Sequence, residues 1–98
     1  DVTGADVKGA NLMYAKLTGA NLNSANLRSA NLRSANLRSA NLSGANLTEA
    51  NLNSTYLKDA NLTDATYDKN TIWPHTGYWQ NTTCPDGTNS DSNPSCGL

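Results

Sequence analysis

Histidine occurs once in this chain, at His75, and cysteine only twice, at Cys84 and Cys96. A lone imidazole with no nucleophile or base at a fixed spacing leaves no catalytic constellation, so the chain is expected to be no enzyme. One His and two Cys likewise match no common metal-ligand spacing, and neither a metal nor a cofactor is expected. No apolar stretch approaches the roughly 20 residues that a helical membrane span requires, which argues against membrane insertion. Charge is scarce and balanced, with 7 Lys and Arg against 8 Asp and Glu, a net charge of −1 and a pI near 5.6, so no nucleic acid partner is expected. Phenylalanine is absent.

What the chain does have is a beat of five. An apolar residue stands at every fifth position from Val2 to Ile72, and a small one, nearly always Ala, sits two residues before it. Ala25-Asn26-Leu27-Arg28-Ser29 is repeated identically from Ala30 and again from Ala35. Thr55 replaces Ala once, and Tyr67 and Ile72 close the apolar series after Leu62.

Neither regular structure accepts this period. A helix turns about 100° per residue, so steps of five spread the leucines around the whole cylinder. A flat strand alternates faces, so an odd step throws successive leucines to opposite sides. The conflict disappears if each unit is a short extended piece followed by a corner: Ala and Leu point inward, Asn points outward, and the two residues after Leu turn the chain. With corners near a right angle, four units return the chain over its start, giving coils of about twenty residues stacked at about the 4.8 Å strand spacing. Leucines twenty residues apart then form interior ladders, such as Leu22 over Leu42 over Leu62.

The tandem Ala-Asn-Leu-x-x units resemble the pentapeptide-repeat family, and the likeness extends over about three-quarters of the chain. The resemblance implies an all-β fold, a right-handed quadrilateral parallel β-helix of nearly four coils; the handedness is what the resemblance supplies. The family pattern takes Leu or Phe at the central site, so the absence of Phe implies a narrow, uniform interior. The expected core ladder is Leu12, Leu17, Leu22, Leu27, Leu32, Leu37, Leu42, Leu47, Leu52, Leu57 and Leu62. A solenoid buries its surface by stacking, which suits a chain this short.

The beat stops after Ile72, where composition changes to Trp73-Pro74-His75-Thr76-Gly77-Tyr78-Trp79 and a tail rich in Pro, Gly, Asn and Ser. Residues 1–72 are therefore expected to form the β-helix and residues 73–98 a cap with a closed tail. Trp73, Tyr78 and Trp79 are read as the cap over the open end of the solenoid, with a ligand-stacking aromatic site as the alternative, and His75 as a cap residue. Cys84 and Cys96 flank the turn signal Pro85-Asp86-Gly87 and read as a disulfide, which places the protein outside the reducing cytosol; two free thiols in a cytosolic protein are the alternative. Within the resemblance, the Cys-Pro-Asp-Gly-Thr tail is similar to the endings of exported members from thylakoid-bearing bacteria, which implies the periplasm or thylakoid lumen. The chain opens at Asp1 in mid-repeat without an apolar signal segment, as removal of a signal peptide would leave it, or a truncation.

The outward positions carry the functional content. Folded at twenty residues per coil, Lys16, Asn36 and Tyr56 fall in one column and Thr18, Arg38 and Lys58 beside it. Arg28 and Arg33 extend the positive charge around the second coil, while Asp1 and Asp6 lie towards one end and Asp59, Asp64 and Asp68 towards the other. Lys16, Arg38, Tyr56 and Lys58 form the candidate interaction face, with plain solvation of a polar wall as the alternative. The expected role is a structural or protein-interaction module with an unknown protein partner, or self-association through an N-terminal disc of Val2, Ala5 and Val7. Some family members imitate the charge of DNA and bind topoisomerase; that requires a long acidic rod, and this chain is short, nearly neutral and basic along its middle.

Overall fold

A computed structural model describes residues 3–98; Asp1 and Val2, and with them the first apolar beat and part of the expected N-terminal disc, lie outside the described residues. Single parallel bridges join residues twenty apart: Asp6 to Asn26 to Asn46 to Thr66, Asn11 to Asn31 to Asn51, Lys16 to Asn36 to Tyr56, and Asn21 to Asn41 to Asn61. A return after twenty residues with one bridge every five means four walls per coil. They are called here the first to fourth walls, starting at Asp6, Asn11, Lys16 and Asn21. The whole measures 32 × 24 × 21 Å.

One unit shows how the sequence builds the coil. The Leu27 carbonyl accepts from Ala30 N–H at 3.0 Å, closing a tight corner over Arg28 and Ser29. Ser29 stands at φ 60°, and the same place in the other repeats is left-handed too, filled by Gly at 4, 9, 19 and 44, by Ser at 24, 34, 39 and 54, and by Tyr14, Glu49, Asp59 and Asp64. A turn whose third residue is left-handed favours Gly or a small polar residue there, which is why the position is never β-branched. Asn26 lends its side chain to the same corner: Oδ1 accepts from Arg28 N–H at 3.1 Å. The bond recurs at Asn31, Asn36, Asn41, Asn51 and Asn61. Asn is thus chosen not only because its position faces outward, as its place in the beat suggests, but because its amide oxygen closes an Asx turn. Three further backbone bonds per unit join neighbouring coils, as in Leu27 N–H to Asn46 O, Ser29 N–H to Thr48 O and Asn46 N–H to Ala25 O, each at 2.9 Å.

Inside, every leucine from Leu22 to Leu62 is at most 3% exposed. Leu12 and Leu17 belong to the same ladders but are only partly buried, with Val7, because no described coil lies above them. Thr55, in the small site, is fully buried and donates its hydroxyl to Leu32 O at 2.7 Å. No buried side-chain N or O among the described residues lacks a partner.

The beat does not end where the sequence suggests. Leu47 N–H pairs with Thr66 O, nineteen residues on, but Leu52 N–H pairs with Ile72 O, twenty on, and Leu57 N–H with Tyr78 O, twenty-one on. One extra residue enters before Thr71 and a second before Tyr78, and the coil continues through them. Thr71 therefore takes the small site and bonds Leu47 O, Ile72 turns outward with 50% exposure, and Trp73 takes the leucine site. Ile72 is thus not the last core residue, because the insertion flips it to the outer face. Tyr67 is likewise 43% exposed rather than interior. Thr82 and Cys84 repeat the small and leucine sites on the fourth wall, both fully buried, and the parallel ladder runs to the Asn61–Thr83 bridge, beyond the expected boundary at 72. There the chain reverses: Thr83 pairs antiparallel with Asn89, and the tail ends in a 3-10 turn at Pro94–Gly97.

Candidate interaction surface

Cys84 and Cys96 are joined by a disulfide with Cα atoms 5.4 Å apart, which fixes the tail against the fourth wall. Asp86 in this loop accepts from the Thr88 hydroxyl at 2.6 Å and from its N–H at 3.0 Å, and those bonds hold its carboxyl below the ordinary range. Trp79 is 1% exposed at a leucine site, and its indole N–H donates to Pro74 O at 2.8 Å. Trp73 packs beside it, ring centroids 5.4 Å apart. Of the three expected cap residues, Trp79 therefore lies within the last coil's own interior and Trp73 packs against it partly buried.

Tyr78 does not. The two insertions carry it outward, directly beyond Tyr56 on the third wall, where the two rings sit 5.1 Å apart. The Arg38 guanidinium lies over the Tyr56 ring at 4.5 Å from its centroid. Such a stack is worth about 0.5–1 kcal/mol at an exposed site and holds the arginine to the wall. Lys16 and Asn36 occupy the same column in the two preceding coils, and Lys58 the corner beside Tyr56. The four expected face residues thus share one wall, and the fold adds Tyr78, which its place after the end of the beat suggests as a cap residue. Tyr14 stands at the corner where the second wall meets the third, 69% exposed and left-handed at φ 63°, an unusual conformation for a bulky side chain.

Lys16 and Tyr56 break the Asn column and cannot supply the Asx oxygen, so at these points the wall gives up a local bond that its neighbours keep. One outward charge is paired between coils, while Arg33 on the second wall stays exposed with no ion pair among the described residues. Arg28 pairs with Glu49 at 3.0 Å, the one ion pair among the described residues, so the positive belt is neutralised there. Asp59, at the far corner of the third wall, accepts from Asn81 Nδ2 at 2.8 Å. The third wall is left with Lys16, Arg38 and Lys58 among two stacked tyrosines. Among the described residues no cluster of His, Cys, Asp or Glu could hold a metal, and no helix is long and apolar enough to cross a membrane.

The family model for pentapeptide repeats matches eight copies over residues 1–28 and 25–64. Among solved structures, the chain is similar to the pentapeptide repeat protein Rfr23 of the cyanobacterium Cyanothece 51142, at 38% identity and a TM-score of 0.56, over 72% of this chain and 52% of that one. HetL of Nostoc sp. Strain PCC 7120, a pentapeptide repeat protein involved in heterocyst differentiation regulation, is 34% identical with a TM-score of 0.50, over 86% of this chain and 42% of its own. A pentapeptide repeat protein of the Arabidopsis thaliana thylakoid lumen aligns at 22% identity and a TM-score of 0.49, over 100% of this chain and 89% of its own. The chain spans about half the length of the first two. No curated protein matches it.

Proposed function

The chain belongs to the pentapeptide-repeat family, and on that premise we propose that it is a non-catalytic interaction module, a right-handed quadrilateral β-helix whose third wall docks an acidic protein surface. The observation that carries this reading is the Arg38–Tyr56–Tyr78 stack. Arg and Tyr are the residues that contribute most at interfaces, and here they are held in place before any partner arrives. Lys16 and Lys58 frame the stack with positive charge, which complements an acidic partner and speeds its approach. The same wall argues against DNA mimicry, which needs the opposite sign. The disulfide supports a location outside the reducing cytosol, in the periplasm or thylakoid lumen.

The test is an amide-resolved NMR titration of the whole chain with a glutamate-rich peptide, wild type against the Arg38→Ser, Tyr56→Asn double variant. Shifts confined to the third wall and lost in the variant are expected. Shifts scattered over all four walls, or unchanged in the variant, would overturn the reading.

A further inference from the structure

The last coil is closed on only half its width. Over the third and fourth walls Trp79 and Cys84 are sealed, and the Ser90 hydroxyl donates to Trp79 O from the tail. Over the first and second walls the described residues leave the last coil open. There Tyr67, Asp68, Lys69, Thr71, Trp73 and Leu98 line a cleft of about 230 Å³. Drug-sized ligands occupy pockets of roughly 300–1,000 Å³, so this one suits a single small ring.

Its chemistry is specific. Tyr67 and Trp73 meet at 80° with centroids 5.7 Å apart, which turns two apolar faces towards one corner. Asp68 Oδ1 is fixed by the N–H groups of Glu49 and Asn70, both at 3.1 Å. Those bonds, the one from Glu49 foremost, keep the carboxyl below its ordinary range and therefore ionised at neutral pH. Among the described residues Oδ2 makes no hydrogen bond, so it is a fixed acceptor. Lys69 supplies a donor of opposite charge beside it. A cationic ligand would meet Lys69 and an anionic one Asp68. A neutral ring rich in hydroxyls meets neither objection: its hydroxyls suit the acceptor and the donor, and its C–H face suits the negative faces of the aromatic rings.

We propose that this end cleft binds one sugar ring of a glycan, stacked on Tyr67 and Trp73 and hydrogen-bonded to Asp68 Oδ2 and Lys69. This site is independent of the third wall. The experiment is an NMR titration of the full chain, following amides and the Trp73 indole N–H, with the methyl glycosides of glucose, galactose, mannose and N-acetylglucosamine in turn. At least one glycoside should give a saturable shift over residues 67–73, with a dissociation constant in the millimolar range, which corresponds to about 4 kcal/mol. Tyr67→Ser and Lys69→Ala, both at exposed positions, should weaken it about tenfold, the loss of a charged hydrogen bond or an aromatic contact. The amides of Leu27 and Leu37, bonded to Asn46 O and Tyr56 O away from the cleft, should stay in place and so report an intact fold. The proposal fails if no glycoside gives a saturable shift, if both variants bind as wild type does, or if tetramethylammonium or inorganic phosphate binds the cleft while the sugars do not.

Discussion

Each residue of the repeat answers to a different force. Leucine supplies burial, at roughly 1.5–3 kcal/mol for a side chain fully removed from water. Alanine lets the walls approach, and where Thr55, Thr71 or Thr82 replaces it or its equivalent, the hydroxyl finds a carbonyl of the coil above. Asparagine is the residue most easily misread. Asn36 Oδ1 holds Arg38 N–H at 3.2 Å, so its role is conformational as much as solvating. Asn36→Ala should lower stability by about 0.5–1.5 kcal/mol, measured by urea unfolding, whereas Asn36→Asp retains the acceptor and should cost less. Asp68 adds a pH dependence. Its carboxyl sits below the ordinary range in the folded chain, so its contribution is complete above about pH 4 and is lost as pH falls through the folded value. The melting temperature should therefore hold steady near neutrality and drop in acid, with a shallower drop for Asp68→Asn.

At the scale of one unit, the corner decides what the sequence may contain. Ser34 at φ 59° tolerates the left-handed region, and glycine would relax it further. A β-branched residue would not: Ser34→Val should cost about 1–2 kcal/mol in urea unfolding while Ser34→Gly changes stability little. The same corner explains why insertions are absorbed here rather than within the ladder. The extra residues before Thr71 and Tyr78 lengthen connections between rungs, and each rung re-forms after them with its bridging pattern intact. A slip inside a rung would instead have turned every later side chain to the wrong face.

For the whole molecule, the end is the weak point, since a solenoid must cover its last coil. The Cys84–Cys96 bridge ties the covering tail to a leucine site. In the chain-entropy view a loop of this size is worth about 3 kcal/mol. Reduction, or the Cys84→Ala, Cys96→Ala double variant, should lower the melting temperature on the order of ten to twenty degrees, as a thermal melt would show. The loss should be felt first at Trp79, whose fluorescence should shift to the red as the tail releases it.

Much of this was readable beforehand because the beat is strict. A period of five excludes helix and flat strand and points to an extended piece and a corner per unit; given corners near a right angle, twenty residues per coil and the leucine ladders follow. Columns on the outer walls follow as well, which is how Lys16, Arg38, Tyr56 and Lys58 come to share a face. What spacing could not supply lies where counting fails. The two insertions after Thr66 put Ile72 in solvent, Trp79 in the core with Trp73 partly buried against it, and Tyr78 on Tyr56. Only the backbone ladder decides where an extra residue is accommodated, because that choice weighs hydrogen bonds from a coil twenty residues away against local preference. Tertiary structure alone also paired Arg28 with Glu49 while placing Arg38 over a tyrosine ring, since partners in adjacent coils are set by side-chain reach across the rungs. The repeat thus determined the scaffold, and the three-dimensional chain decided which of its charges are paired between coils and which stack on aromatic rings.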